Sequence, residues 1–175
     1  MKRLLVLFFA FVPTVAFAQN VGATRFVSAT PTVDTGAYAS GDLIGGKLTF
    51  SNALRATVGT GYLISAEIQD KSAVASDLDL VIFASDPSST TFTDQAAFDP
   101  ADADLSKVVT IISFGSTSRY AFNDNGVKYV GSIVLPLGKN AAPVSTTLYG
   151  ALVSRGTPTF AASGDVTVTL GIAQD

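Results

Sequence analysis

Acidic side chains offer the most suggestive spacing for chemistry in this chain. Asp99, Asp102 and Asp104 lie close together, as the oxygen ligands of a calcium loop do. However, the glycine and closing glutamate of an EF-hand loop are missing. A helix start also explains the segment, with Asp99 as N-cap, Pro100 as first helical residue and Asp102 near the positive end of the helix dipole. We interpret it as a helix start, with calcium at the three aspartates as the weaker alternative.

Two further pairs of carboxylates have a spacing that could serve chemistry. Asp77 and Asp79 share a face at the entry of an apolar strand, but a hard cation needs roughly six to eight oxygens, so solvated carboxylates are the simpler interpretation. Glu67 is the only glutamate, and with Asp77 or Asp79 it forms the pair that a glycosidase would need. We expect no activity from this pair.

Composition restricts the function further. The chain has no histidine, cysteine or tryptophan, so the commonest general base, a thiolate nucleophile and a zinc-binding thiolate are excluded. Its 11 basic and 14 acidic residues give a net charge of −3 without a basic cluster, which disfavours binding to nucleic acid or to an anionic membrane. The composition therefore predicts a protein that is not an enzyme and uses no cofactor.

The elements that must position these side chains are strands, because Val, Ile, Thr, Phe and Gly recur with short turns between them. Residues 62–69 alternate, which predicts Tyr62, Ile64, Ala66 and Ile68 on one face. Residues 108–114 (VVTIISF) are apolar on both faces and indicate a central strand. The pair Asn125-Gly126 between two apolar runs predicts a hairpin closed by a type I′ turn.

About nine short strands and one brief helix follow from these patterns. So many alternating strands must double over to bury one face, which predicts an all-β, single-domain antiparallel β-sandwich of jelly-roll type. A lipocalin-like barrel is the alternative, but the irregular connection 86–106 suits a crossing between two sheets better. The predicted strands are residues 21–28, 47–51, 62–69, 78–83, 108–114, 118–122, 127–134, 146–154 and 165–172.

The first 18 residues have the pattern of a secretory signal. Two basic residues precede the apolar run 4–11, and Ala16-Phe17-Ala18 supplies the small residues of a cleavage site before Gln19. An uncleaved anchor is the alternative, but the run is shorter than the ~20 residues of a membrane span. We therefore expect a signal peptide at 1–18, a β-sandwich domain at 19–175, and export to the periplasm or the medium with no membrane contact after cleavage.

Several segments together carry a family resemblance. They are GYLISAEIQDKS (61–72), LDLVIFASDPSSTTFTDQAAFDPADADL (78–105) and LYGALVSRGTPTF (148–160), preceded by Tyr38, the glycines and aspartate of 41–46, and Asn52-Ala53. In this order they resemble a family of small tailed-bacteriophage proteins described as virion structural or hypothetical proteins. The resemblance implies a β-sandwich on the particle exterior, such as a decoration or cement protein, that binds other virion proteins. Virion proteins assemble in the cytoplasm, so the export signal departs from this pattern and leaves virion association as the alternative location.

These observations predict a structural or interaction protein that self-associates, as a dimer or trimer, or docks on a larger assembly. The alternative is an exported surface- or carbohydrate-binding module. Such a module uses exposed aromatics, whereas the five tyrosines here lie mostly at strand positions where core packing is expected. Arg155, in the shared RGTPT stretch, is the candidate for an intersubunit or loop-anchoring contact, with a solvated arginine as the alternative.

Overall fold

The computed structural model describes residues 23–55, 61–137 and 146–174. The predicted signal peptide and its cleavage site lie outside these ranges, as does the start of the first predicted strand. The described residues form nine strands, one short α-helix and one 3₁₀ turn at Ser116–Ser118. The elements are β1 (Thr24–Ala29), β2 (Leu43–Phe50), β3 (Gly61–Asp70), β4 (Leu78–Phe83), α1 (Asp102–Leu105), β5 (Val108–Phe114), β6 (Arg119–Ala121), β7 (Gly126–Leu137), β8 (Leu148–Ser154) and β9 (Val166–Gln174).

The strands form a five-stranded sheet, β1-β9-β3-β7-β6, and a four-stranded sheet, β2-β8-β4-β5. The first four strands pair with later ones in reverse order: β4 with β5, β3 with β7, β2 with β8 and β1 with β9. The pairs β3–β9 and β4–β8 connect these strand pairs into the two sheets, and all pairings are antiparallel. This is a jelly roll with β6 as an added edge strand, so the predicted fold class is confirmed.

Alternating apolar residues form the core between the two sheets. In β9, Val166, Val168, Leu170 and Ile172 are fully buried and face inward, as the sequence predicts. The four-stranded sheet contributes the inward side chains of every second residue in β2 and β4, Phe50 among them. Burying a side chain of this size contributes roughly 1.5–3 kcal/mol, so the facing sheets stabilise each other.

Strand β3 departs from the predicted alternation. Its register against both neighbours shifts between Leu63 and Ser65, where the strand carries a β-bulge. The bulge changes which face successive residues occupy, so Tyr62 is exposed while Ala66 and Ile68 are buried in the core. The prediction that Tyr62, Ile64, Ala66 and Ile68 share one face is therefore wrong.

The β6–β7 hairpin is present, but its turn is not the predicted one. Residues Ala121 and Gly126 pair across the hairpin, and the amide of Phe122 donates to the carbonyl oxygen of Asn125 at 2.8 Å. Neither Asn125 nor Gly126 has the positive φ that a type I′ turn requires, and Gly126 is already the first residue of β7. The Asn-Gly pair thus marks the position of the turn and not its type.

Strand β5 lies at an edge of the four-stranded sheet, so its predicted central position is wrong. Among the described strands it pairs only with β4, and its outward-facing Ile111 is 56% exposed. The central strands of this sheet are β8 and β4, which are buried almost throughout. The inward face of β5 is therefore buried in the core, while its outward face is apolar but partly exposed.

The connection from β4 to β5, residues 84–107, covers part of the outer face of the four-stranded sheet and is called the covering segment below. Phe92 and Phe98 from this segment pack against a second apolar cluster that includes Val81, Phe83 and Val153. The Phe83 and Phe92 ring centroids are 6.4 Å apart. The sheet is therefore buried on both faces here, which explains why β4 is apolar on both faces.

Candidate interaction surfaces

Asp104 is a structural hub of the covering segment. It is fully buried, and its Oδ2 accepts hydrogen bonds from the Ser89 amide at 2.9 Å and the Thr90 hydroxyl at 2.8 Å. Its Oδ1 lies 2.7 Å from Nζ of Lys107, which also donates to the carbonyl oxygen of Asp86. Because these donors use both oxygens, Asp104 holds the two ends of the segment together.

The other two calcium candidates lie apart from this hub. Helix α1 starts at Asp102 with Ala101 as its N-cap and no side-chain cap, so the predicted capping role of Asp99 is wrong. Asp99 and Asp102 are both exposed, whereas Asp104 is buried. Within the described ranges, no group of three or more His, Cys, Asp or Glu side chains could hold a metal ion.

Asp94 is a second hub and joins the covering segment to β2. Its Oδ1 accepts hydrogen bonds from the Tyr38 hydroxyl at 2.8 Å and the Gly45 amide at 2.6 Å, and its Oδ2 accepts one from the Asp34 amide at 3.1 Å. Burial raises the pKa of the Tyr38 hydroxyl, which remains a proton donor to Asp94. Gly45 has φ +71°, where a β-carbon would lie 2.4 Å from Cβ of Pro31. Tyr38, Gly45, Asp94 and Asp104 thus fix the covering segment.

The Asp104 hub predicts a specific dependence of stability on acid. Its ion pair with Lys107 holds the pKa of the Asp104 carboxyl below its usual value. The contribution of Asp104 is therefore present above the unfolded pKa of about 3.9 and is lost as the pH falls through the lower, folded pKa. We expect Asp104→Asn to lower the thermal midpoint by several degrees at pH 6 and by clearly less at pH 2.

Thermal unfolding of wild type and variant between pH 2 and pH 6 measures this difference. Burial raises the pKa of Asp70, which acts in the opposite direction, so the variant must be subtracted from wild type at each pH. Asp102→Asn, which removes an exposed carboxylate of the same helix, is the control. A difference for Asp104→Asn that stays constant across this pH range would contradict the assignment.

An apolar trough of about 320 Å³ lies beside the covering segment on the outer face of the four-stranded sheet. Its base includes Val81 and Val153, and β5 contributes Ile111. Leu105, at the end of α1, is 52% exposed and also lines the trough. We call this the β5 trough. Together with the open edge of β5 it forms a continuous apolar surface.

Arg155, the predicted contact residue, lines one end of the β5 trough. Its Nε lies 2.6 Å from Oδ2 of Asp79, and its amide donates to the carbonyl oxygen of Asp77 at 2.9 Å. The Asp77 carboxylate accepts a hydrogen bond from the Ser116 amide. Arg155 thus joins β8 to β4 and places a charged pair at the margin of an apolar surface.

The pair of carboxylates considered for hydrolysis is not brought together. Glu67 lies on the outer face of the five-stranded sheet, where Gln69 donates to its Oε1 at 2.8 Å. Asp79 lies on the other sheet, on the outer face with Val81 and Phe83. The whole sandwich separates the two side chains, so no cleft gathers them.

Tyrosines on the five-stranded sheet contradict the expectation of core packing. Tyr62, Tyr120 and Tyr129 are 41%, 69% and 54% exposed, and Tyr120 packs edge-on against Phe122 with ring centroids 5.0 Å apart. Of the five tyrosines, Tyr38 is fully buried. The strand patterns located these residues correctly but not their faces, because the outer face of the sheet is itself aromatic.

Two cationic side chains, the buried Lys128 and the half-buried Arg119, stabilise one end of the sandwich. Lys128 is 1% exposed and its Nζ donates to the carbonyl oxygen of Ser76, while Nη2 of Arg119 donates to that of Ala73 at 2.8 Å. Burial lowers the pKa of Lys128, which the neighbouring Asp70 carboxylate partly offsets. Both side chains therefore anchor the β3–β4 connection.

The chain matches no protein-family model and no curated protein. Across the described ranges, the model contains no helix with the length and apolar character needed to cross a membrane. Sequence reasoning missed two main features of the candidate surfaces, the open edge at β5 and the aromatic face of the other sheet.

Proposed function

We propose that this domain is a non-enzymatic structural protein that associates with a second copy of itself through the edge of β5 and the β5 trough. The observation that carries the proposal is that a strand apolar on both faces lies at a sheet edge with Ile111 56% exposed. Such a strand normally lies between two others. Pairing with β5 of a second copy would supply the missing neighbour.

The remaining edges of the two sheets support the choice of β5. Edge strands are usually protected by charge, by proline, by bulges or by being short. β1 carries Arg25, β2 carries Lys47 and the positive-φ pair Gly45-Gly46, and β6 has three residues. β5 has seven residues and no charge, and its bulge lies near its start at Val109, so residues 110–114 form a regular, uncharged edge.

Antiparallel pairing of β5 with its copy would give a two-fold symmetric dimer with one continuous eight-stranded sheet. Ile111 and Leu105 would then be covered by the corresponding residues of the partner, since a two-fold axis places the same patch on both sides. The resemblance to the phage family implies a decoration protein that binds other virion proteins, which is also a role in surface contact. We further propose that the dimer docks on a larger assembly.

Light scattering on the purified protein over a range of concentrations tests the proposal. We expect the mass of two chains, falling to that of one chain only on strong dilution. A mass of one chain at every concentration up to about millimolar would overturn it, because an unprotected edge of this length should pair at such concentrations.

We propose export as the destination, on the strength of the leader pattern in residues 1–18. N-terminal sequencing of the protein from fractionated cells, culture medium and particles tests it. Gln19 as the first residue in an extracytoplasmic fraction is expected. An intact leader on protein in the cytoplasm or in particles would favour the virion-associated alternative.

A surface- or carbohydrate-binding module remains the second candidate, and the exposed tyrosines of the five-stranded sheet favour it. It would use the face opposite to the β5 trough, so both functions are compatible in one molecule. A glycan array tests the carbohydrate form of this candidate. Binding that is lost in Tyr129→Ala would support it, and an array without binding would remove it.

A further inference from the structure

A second concave site lies on the outer face of the five-stranded sheet. It encloses about 320 Å³ and is lined by six residues, and we call it the aromatic pocket. The lining residues are Phe26, Ile64, Ser65, Glu67, Tyr129 and Thr169.

The strand register builds this pocket from four neighbouring strands. Phe26 on β1 pairs with Gly171 on β9, and Gly171 pairs in turn with Ser65 on β3. Ser65 pairs on its other side with Gly131 on β7. The row runs Phe26, Gly171, Ser65, Gly131. Its two glycines lack the side chains that would fill the surface, so it forms a hollow.

Aromatic rings form opposite walls of this hollow. The Phe26 ring reaches over Gly171, with Cε1 3.1 Å from the position that a β-carbon would take there. The Tyr129 ring covers Gly131 in the same way, with its hydroxyl oxygen 2.7 Å from that position. Phe26 and Tyr129 are 68% and 54% exposed, so neither ring is used to fill the core.

Glu67 supplies the charge of the pocket. It pairs with Tyr129 on one side and with Thr169 on the other, which places its carboxylate beside the Tyr129 wall. Gln69 donates to Oε1 at 2.8 Å, and no described residue donates to Oε2. None of the six lining residues is Lys or Arg, so the Glu67 carboxylate has no cationic partner within the described lining of the pocket.

We propose that the aromatic pocket binds the ammonium or guanidinium group of a lysine or arginine side chain presented by a partner protein. Aromatic rings attract cations through their quadrupole, and a carboxylate adds a direct charge interaction. The volume accommodates one long side chain, with its methylene groups against Ile64 and its charged end near Glu67. This site lies on the sheet opposite to the β5 trough, so a dimer would present two such pockets outward.

Three capped tripeptides test the chemistry: acetyl-Gly-Lys-Gly-amide, the same peptide with Arg, and the same peptide with the neutral isostere norleucine. Titration into the isotope-labelled protein, followed by amide chemical shifts, gives both the location and the affinity. We expect the Lys and Arg peptides to shift the amides of Ser65, Glu67 and Thr169, and the norleucine peptide to bind at least about tenfold more weakly.

Variants then distinguish the effect of the Glu67 charge on peptide binding from the effect of the net charge of the protein. We expect Glu67→Gln to weaken the Lys and Arg peptides about fivefold, and Tyr129→Leu to weaken them similarly. Asp124→Asn, which removes an exposed carboxylate at the β6–β7 turn, is the matched control and should leave the affinity unchanged. The amide spectrum of each variant verifies that the fold is retained.

Equal binding of the norleucine peptide, or an unchanged affinity in Glu67→Gln, would overturn the proposal. Methyl glucoside, titrated in parallel, tests a neutral sugar in the same pocket. Shifts of the pocket amides with the sugar but not with the cationic peptides would also overturn it. None of these readouts depends on the oligomeric state, so this proposal and the dimer can fail separately.

Discussion

Replacing Ile111 with lysine is expected to convert the dimer into monomers without loss of the fold. In one chain this side chain is 56% exposed, so a lysine there is readily solvated. Across a β5–β5 contact the same substitution would place two ammonium groups in an apolar, water-excluded position. The dissociation constant should rise at least about a hundredfold.

The chain offers a closely matched control for this experiment. Phe122 is also 56% exposed, but it lies in the turn between β6 and β7, away from the β5 edge. Light scattering should therefore show a dimer for Phe122→Lys and a monomer for Ile111→Lys, with similar thermal midpoints. An Ile111→Lys dimer as stable as wild type would contradict the assignment of β5 as the interface.

Removing the Asp94 carboxylate is expected to cause the largest loss of stability among the polar substitutions considered. Asp94→Ala leaves the Tyr38 hydroxyl and the Gly45 amide without their acceptor, and both lie in a region that is partly or fully buried. Hydrogen bonds to a charged group contribute roughly 1.5–3 kcal/mol each, so we expect a loss of about 3 kcal/mol. During unfolding of this variant, the covering segment should separate from the four-stranded sheet before the sheet itself unfolds.

Chemical denaturation measures this loss as a shift of the midpoint at constant slope. Asp99→Ala in the same segment is the control, because Asp99 is exposed and surface substitutions of this kind change the free energy of unfolding by about 0.5 kcal/mol or less. A loss below about 1 kcal/mol for Asp94→Ala would show that the segment is held mainly by Phe92 and Phe98.

Much of the fold follows from local sequence patterns. The alternation in residues 166–172 predicts the inward face of β9 correctly, and the bounds of β4 and β5 agree with the apolar runs in the sequence. These features depend on neighbouring residues alone, because a strand alternates with period two whatever lies beside it. The jelly-roll prediction followed from the number of such strands.

Features that depend on contacts between residues far apart in the sequence could not be predicted from these local patterns. The apolar pattern of β5 shows that the strand has two apolar faces, but it does not show what covers them. The bulge at Ile64 in β3 moves Tyr62 to the surface, and the alternation of residues 62–69 does not predict this bulge. The sequence predicts Asp104 within a helix start, with calcium binding as the alternative, whereas the burial of its carboxylate depends on Ser89, Thr90 and Lys107, which the covering segment brings together.

The candidate sites were harder to predict for the same reason. Phe26 and Tyr129 are far apart in the chain and share a pocket only because β9 and β3 lie between their strands. Arg155 was predicted from its place in a shared segment, and its pairing with Asp79 required the register of β4 and β8. Local sequence patterns thus predict the fold class, whereas the candidate surfaces depend on the order of the strands in the sheets.

Cysteine cross-linking along β5 tests the central claim most directly, because the chain has no native cysteine. A two-fold axis of an antiparallel pair of β5 strands passes midway between one residue and its own copy. Cysteines at that position face each other with Cβ atoms roughly 4.5–5.5 Å apart, close enough for a disulfide to form after a small adjustment. Single cysteines at residues 109 to 113 in turn, with Phe122→Cys as control, should give one position that oxidises rapidly to a covalent dimer. No covalent dimer above the control at any of these positions would contradict the account.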